Sequence, residues 1–496
     1  MSQPMHAGSN AAVSALSDYQ QQVIFGLARE GQASYQFLRQ QYPEQQLLLA
    51  DDLPFEQLPE SLQSQISSDN WAEYISPSDL QRLLQHSDQS WLIFKTPGIP
   101  SEHPLIQTAH AKYATITSNT DFFFQQLAIR APAAKIIGIT GTKGKSTTTS
   151  LIYHLLQVAK IPSRITGNIG TPPLTTLLEI DQLSKEQRES LRFVVFELSS
   201  HQLRELKISP QIAVILNITP EHLDYYADFN SYLEAKAPIC SYQAAEDVVI
   251  YNPEFATAAE FAQRSPGKKR LVSLSPKKAT QYVATRSNDL LYSGNQPVIP
   301  VKDVPLVGEH NLLNILPALA IGNELGIDPT IQASAIHSFQ ALPHRLSLVA
   351  EIDGVRYFND SQATNPEAAI AALQSFPTQT IHLVAGGSDK GLDLEPFAKA
   401  IISSGVKTLV LFPPMGAVIA DFIENQNVKN AIKIISKSSM QEAVSSLKSI
   451  AKAGDVVLLA PGCASFGMFK NYQDRGNQFV TAVLEEQVEE QYSNSC

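Results

Sequence analysis

The run Ile136-Ile137-Gly138-Ile139-Thr140-Gly141-Thr142-Lys143-Gly144-Lys145-Ser146-Thr147-Thr148 passes from an apolar, β-branched strand into a glycine-rich turn ending in Lys-Ser. Backbone N–H groups of such a turn, and of the helix that opens at its end, point at phosphate oxygens. The lysine ammonium reaches terminal phosphates and the hydroxyl can hold Mg²⁺. The pattern G-x-x-x-x-G-K-[ST] wants glycine at position 139, where this chain has Ile139 and offers Gly138 and Gly141 instead. The flanks favour a phosphate loop over an incidental turn. A strand precedes it, and Thr148-Thr149-Ser150-Leu151-Ile152-Tyr153-His154-Leu155-Leu156 follows with helical spacing.

Three further residues could do chemistry beside a nucleotide. Glu197 ends the strand-like Phe193-Val194-Val195-Phe196-Glu197, where a phosphate-loop enzyme places a carboxylate for Mg²⁺. His222, in Asn217-Ile218-Thr219-Pro220-Glu221-His222-Leu223-Asp224-Tyr225, is a candidate metal ligand with Asp224 as the group that holds its ring. Lys236 lies on a helical stretch, Tyr232-Leu233-Glu234-Ala235-Lys236, where a lysine is ordinarily solvated.

The elements that must position these groups alternate strand and helix. Val23-Ile24-Phe25, the turn Gly26-Leu27-Ala28-Arg29-Glu30-Gly31, a helix through Phe37-Leu38 and the strand Leu47-Leu48-Leu49-Ala50-Asp51 open a doubly wound α/β unit. Ala28 replaces the second glycine of a dinucleotide fingerprint, which argues against an NAD-dependent oxidoreductase. Asp51 still offers an acceptor to a nucleotide. A strand at Trp91-Leu92-Ile93-Phe94 breaks at Lys95-Thr96-Pro97-Gly98. Strand–helix alternation resumes after Leu342-Pro343-His344-Arg345, while residues 268–300 read as a peripheral sheet and 308–325 as a helix. The expected architecture is α/β with three domains: a disordered lead-in over 1–18, a Rossmann-like domain over 19–130, a phosphate-loop ATPase-type parallel sheet over 131–341, and a Rossmann-like domain over 342–496. The acidic end from Glu485 is expected to fray.

Composition excludes several classes. With 496 residues, 17% charged, a net charge of −11 and no basic cluster, nucleic acid is not the expected partner. There is no apolar run of bilayer length and no signal-peptide pattern at the N-terminus, so a cytosolic protein without membrane insertion is expected. Cys240, Cys463 and Cys496 lack the spacing of a zinc site or a disulfide framework.

Taken together these segments resemble the Mur ligases, the ATP-dependent amino-acid-adding enzymes of peptidoglycan synthesis, over almost the whole chain. The resemblance implies an ATP loop at Gly141, Thr142, Lys143, Gly144, Lys145, Ser146 and Thr147. It implies Mg²⁺ ligation through Ser146, Glu197, His222 and a carbamylated Lys236, and adenine contacts at Asn311 and Asn314. Arg345 would face the γ-phosphate and Asp360 the ribose. Within the family the closest motifs are those of the branch that adds D-glutamate to UDP-N-acetylmuramoyl-L-alanine: Phe196-Glu197-Leu198-Ser199-Ser200, Asn359-Asp360-Ser361-Gln362-Ala363-Thr364-Asn365, and the stretch from Ala460 to Asn477. That branch implies a glutamate pocket at Thr364, Lys390, Ser465, Phe466 and Tyr472, and sugar-nucleotide contacts at Asp51, Thr96, Gly98 and Asn168, in a monomeric enzyme.

Three positions depart from the branch pattern. Gln362 stands for the usual lysine, Phe466 for leucine and Gly467 for aspartate. Gly386-Gly387-Ser388-Asp389-Lys390-Gly391 also matches ligases that add L-glutamate, so both enantiomers stay open. The implied chemistry converts the L-alanyl carboxylate to an acyl phosphate, which the glutamate amine attacks. Lys145, Arg345 and Mg²⁺ would neutralise the charge, with a hinge expected near residues 340–345. Intact Lys145, Glu197, His222, Lys236 and Arg345 disfavour a non-catalytic nucleotide-binding protein. The N-terminal unit disfavours a folylpolyglutamate-type ligase.

Overall fold

The computed structural model describes residues 16–222, 225–276, 281–426 and 432–493. Three sheets organise the chain. The first contains β1 (Gln21–Phe25), β2 (Leu47–Ala50), β3 (Ala72–Tyr74), β4 (Trp91–Lys95) and β5 (Thr115–Thr117), all parallel in the order β3-β2-β1-β4-β5. Strands covered on both faces need apolar residues on both. That is why β1, β2 and β4 are nearly continuous hydrophobic runs rather than alternating ones. The chain reverses direction across the sheet between β1 and β4, so a crevice opens at their carboxyl ends.

The second sheet holds β6 (Lys135–Thr140), β7 (Ser163–Gly167), β8 (Phe193–Glu197), β9 (Ile212–Ile215), β10 (Val248–Tyr251), β11 (Lys268–Ser273), β12 (Tyr282–Ser287), β13 (Leu290–Ser293) and β14 (Gln296–Pro300). Their order is β14-β13-β12-β11-β10-β9-β6-β8-β7. Strand β6 lies between β8 and β9, and all three run parallel, so the loops that follow them share one edge. The segment expected to form a peripheral sheet instead continues this one through the parallel pair β11 and β12, then turns back at β13. Gly138 answers the irregular loop motif: a Cβ on it would meet Pro210 Cγ at 2.5 Å, so the glycine is required inside β6 by packing.

The third sheet has β15 (Ser347–Ile352), β16 (Val355–Asn359), β17 (Ile381–Gly386), β18 (Val406–Phe412), β19 (Lys433–Ser436) and β20 (Val456–Leu459), ordered β15-β16-β20-β17-β18-β19. Only the β15–β16 pair is antiparallel.

These sheets form two compact units: Met1–Ile299 with Asn314–Ala335, and Pro300–Leu313 with Ile336–Cys496. One apolar core runs through the first two sheets. Phe123 and Phe124, on the helix Asn119–Arg130, meet Phe196 of β8 with ring centroids 5.6 and 5.8 Å apart. Arg130 pairs with Asp181 at 2.8 Å on the helix Pro173–Asp181. Residues 1–15 of the expected lead-in lie outside the described residues. Leu16–Asp18 is already a helical turn, with Leu16 buried in that core. At the other end the acidic stretch expected to fray continues the helix Tyr472–Ser493. No helix among the described residues is long and apolar enough to cross a membrane.

Candidate functional site

A cleft of about 510 Å³ opens where β1, β4, β6 and β8 end. Ala28, Arg29 and Glu30 enter from the turn after β1, and Thr96, Pro97 and Gly98 from the turn after β4. Lys145, Asn168, the segment Ser199–Gln202, Glu221, His222, Tyr232 and Lys236 enter from the second sheet. Sequence-identified residues from positions 96 to 236 thus share one surface.

The phosphate loop is held before any ligand arrives. Thr142 donates its hydroxyl to Thr219 O and accepts from Thr219 N, both at 2.9 Å, while its own N–H bonds Asn217 O at 2.8 Å. Its side chain therefore shapes the loop. Gly144 sits at φ 84°, and a Cβ there would collide with Asn314 Oδ1. The helix Lys145–Val158 starts immediately after it, with no side-chain cap at Gly144, and the N-terminus of such a helix favours an anion. Lys145 Nζ rests on the carbonyls of Gly141 and Thr142 at 3.0 and 2.9 Å. Lys143 pairs with Glu221 at 2.8 Å.

Glu197 is held on one side only. Its Oε1 accepts from Asn168 Nδ2 at 3.1 Å, and its buried Oε2 has no partner. Lys236 is 1% exposed, contrary to the solvated lysine its helical position suggests; its Nζ reaches Gly141 O at 3.1 Å and lies 4.8 Å from the centre of the Tyr232 ring. Burial first, and then the Lys145 charge, hold the Lys236 amine well below the ordinary lysine range, against the pull of Glu221 and Glu197. His222 sits in the left-handed region at φ 58° with its side chain 47% exposed; Asp224, expected to hold its ring, lies outside the described residues. Among the described residues no three His, Cys, Asp or Glu side chains cluster as a metal site. The unpartnered Glu197 oxygen, on a carboxylate near enough to act on the Lys236 charge, nevertheless suits a hard divalent cation that takes its other oxygens from phosphates and water.

Asp51 does not line the cleft. Its two oxygens accept from Leu27 N at 2.5 Å and Leu53 N at 2.9 Å, so it shapes the β1 turn. Glu30, Gln202 and His201 do line it and were not read from sequence, since their neighbours come from distant segments.

In the second unit Thr364 and Lys390 share a narrow cleft with Ser388, Asp389 and Cys463. Ser465 is buried beside it in sequence, Phe466 is 64% exposed, and Tyr472 packs edge-on to His344 at 6.2 Å; none of the three lines the cleft. Arg475, fully buried, fixes this region by donating to Ser361 Oγ and Ser361 O at 3.0 and 2.8 Å, and to Cys463 O and Ala464 O at 3.2 Å. Asp360 accepts from Leu346 N at 3.0 Å, and burial pushes its carboxyl up to about 7 although Arg345 opposes the shift. Asn311 donates to Val307 O at 2.7 Å.

Residues 139–322 match the Mur ligase middle domain and 344–463 the Mur ligase glutamate ligase domain. The UDP-N-acetylmuramoylalanine–D-glutamate ligase of Clostridium kluyveri is 37% identical over 395 residues, covering 79% of this chain and 82% of that protein. The chain belongs to the Mur ligase family. Solved Mur ligases share its α/β fold. The UDP-N-acetylmuramate-alanine ligase MurC of Thermotoga maritima superposes with a TM-score of 0.54 at 18% identity, over 96% of this chain and 100% of that one. The MurF ligase of Thermotoga maritima, solved in complex with ADP, gives 0.53 at 18% identity over 82% and 97%. As a Mur ligase, the chain has the cleft lined by Lys145 and Lys236 in the unit that carries the middle domain and the Thr364–Lys390 cleft in the unit that carries the glutamate ligase domain.

Proposed function

We propose that this Mur ligase joins D-glutamate to UDP-N-acetylmuramoyl-L-alanine, converting ATP to ADP and phosphate. The observation that carries the reading is the 37% identity to a ligase of that name over four-fifths of the chain. The cleft supports it, because a reaction that brings carboxylate and triphosphate together needs cations, and Lys145 and Arg29 line it.

The L-alanyl carboxylate attacks the γ-phosphorus and ADP leaves. The glutamate amine then attacks the acyl carbon and phosphate departs, the amine proton passing to solvent. Lys145 and the loop N–H groups hold the phosphates of ATP, and Thr96, Gly98 and Asn168 bind the sugar nucleotide. Mg²⁺, when bound, neutralises charge on the transferred phosphoryl group, and Ser146, Glu197, His222 and carbamylated Lys236 would hold it. A neutral, buried Lys236 amine is the form that adds CO₂. In the second unit we assign Asp360, Arg345, Asn311 and, from the first, Asn314 to the nucleotide, and Thr364, Lys390, Ser465, Phe466 and Tyr472 to glutamate. We further propose that it works as a monomer in the cytoplasm.

The same chemistry with L-glutamate is the second reading, favoured by Gly386-Gly387-Ser388-Asp389-Lys390-Gly391. Phosphate release from ATP is to be measured with UDP-N-acetylmuramoyl-L-alanine and either enantiomer, and the product weighed by mass spectrometry. Turnover with D-glutamate alone is expected. Turnover with L-glutamate alone moves the protein to the other branch, and none with either removes the ligase reading.

A further inference from the structure

The turn over residues 96–98, which lines the cleft beside the phosphate loop, is gripped by a carboxylate that does not line the cleft. Glu205 follows the short helix Ser200–Leu203 after β8, whose His201 and Gln202 do line it. Glu205 lies instead in a separate cavity of about 220 Å³, together with Lys95 and Ser101. Those two residues bracket the turn. Glu205 Oε1 accepts from Ser101 Oγ at 2.6 Å and lies 3.1 Å from Lys95 Nζ. Lys95, only 4% exposed, also donates to Ile99 O at 2.8 Å, so its ammonium closes the chain over residues 95–99. Next to Glu205, Arg204 Nη2 pairs with Glu102 at 2.7 Å.

Thr96 N donates to Phe25 O at 3.0 Å, which fixes the start of the turn on β1. Gly98 faces open space, since a Cβ built on it would meet no heavy atom within 4 Å. Packing on that side does not hold it, so its place follows from how the residues on either side are tied. A buried ammonium needs its carboxylate and its carbonyl where they are, which makes the tie through Lys95 stiff. A turn that is ordered before its ligand arrives loses less conformational entropy on binding, so a clamp outside the site strengthens binding without touching the ligand.

We propose that Glu205 is a positioning residue for the sugar nucleotide, holding residues 96–98 in their binding conformation through Lys95 and Ser101. It touches no substrate and takes no part in bond making. The identity of the ligand rests on the proposed function. The phosphate loop is held by its own contacts, Thr142 with Thr219 and Asn217, so loosening the clamp falls on one substrate and spares ATP. The opposite arrangement is a tie between the two sheets that adds only to folding: its loss then lowers stability and leaves every substrate affinity as it was.

Steady-state kinetics of the full chain decide between them, run beside thermal melts. UDP-N-acetylmuramoyl-L-alanine and ATP are varied in turn, with whichever glutamate enantiomer the wild type accepts. Glu205→Ala is expected to raise KM for the sugar nucleotide about tenfold, the scale of re-ordering one or two freed groups, with kcat and the KM for ATP within about twofold of the wild type. Glu205→Gln keeps the acceptor and loses the charge, and is expected to recover part of the affinity. Ser101→Ala strands no buried charge and serves where Glu205→Ala fails to melt cooperatively; its KM for the sugar nucleotide is expected to rise about threefold, as for one lost hydrogen bond. An unchanged sugar-nucleotide KM with a lowered Tm, or KM values for both substrates rising together, overturns the positioning role and leaves the ligase reading intact. Absence of turnover by the wild type with either enantiomer overturns both.

Discussion

Lys236 and Asp360 are buried groups whose environments work against their charges, and each gives a prediction. Burial and then the Lys145 charge hold the Lys236 amine well below the ordinary lysine range, which favours the uncharged form that reacts with CO₂. Lys236→Arg keeps a cation that cannot form a carbamate. We expect kcat to fall about 10²- to 10³-fold, the usual scale for removing one positioned electrostatic group. Stripping CO₂ from the buffer should slow the wild type, with recovery on adding bicarbonate, while the variant responds to neither. A wild type indifferent to CO₂ removes the carbamate from the mechanism. For Asp360 the folded state holds its proton up to about pH 7, whereas the unfolded chain releases it near the ordinary aspartate value. The folded state therefore binds more protons between those limits, and stability from this residue is full at low pH and lost as pH rises toward 7. The gap corresponds to a penalty on the order of 4 kcal/mol at pH 8, an upper figure for one buried acid. Asp360→Asn should raise Tm at pH 8, leave it nearly unchanged near pH 4, and weaken ATP binding. Equal Tm differences at the two pH values would refute the buried-acid account.

At the scale of elements, the phosphate loop is a strained turn between a strand and a helix, and its glycines are set by what packs around them. Gly144 combines φ 84° with a Cβ position occupied by Asn314 Oδ1, and Asn314 O accepts from Thr148 Oγ1 at 3.2 Å. Gly144→Ala must move either the loop or the helix Glu309–Glu324 that carries Asn314. The expected cost is about 1–3 kcal/mol for the left-handed backbone alone, with loss of ATP binding measured by fluorescence titration; unchanged affinity would mean the loop re-forms around the methyl. The sequence made this element legible because a doubly covered strand must be a continuous apolar run and a phosphate loop must be glycine-rich. Strands β1, β2, β4, β6, β8 and β9 were readable for the same reason. Strands β3 and β5 are three residues each, too short for any pattern, and β7 is Ser-Arg-Ile-Thr-Gly, polar where a buried strand is expected to be apolar. Lys236 on its helix read as solvated, and only the family resemblance gave it a role. Glu30 gave no local signal, because the partner that defines it, Gln202, is 172 residues away.

At the scale of the whole molecule, the boundary expected near residue 130 separates two sheets that do not have separate cores. Phe196 is fully buried, and two of the rings around it, Phe123 and Phe124, come from the helix that ends at Arg130. That helix lies on Pro173–Asp181, whose Leu174 and Leu177 are fully buried. Cutting the chain at 131 uncovers all of these at once. Deleting one buried phenylalanine ring costs about 3–5 kcal/mol, and a domain has only about 5–15 kcal/mol in total. A piece spanning 131–335 should therefore lack a cooperative thermal transition and should bind a hydrophobic dye. The second unit keeps two apolar clusters made of its own residues, one around Phe397 and Leu383 and one around Phe479 and Val457. A piece spanning 336–496 should accordingly melt in one sigmoidal step. A cooperative melt from 131–335 would mean that its own helices can close over Phe196, and the first two sheets would then be independent domains after all. The expected pattern instead makes them a single folding unit, which explains how Arg29, Thr96 and Gly98 of one sheet are held against Asn168 and Gln202 of the other closely enough to form one cleft.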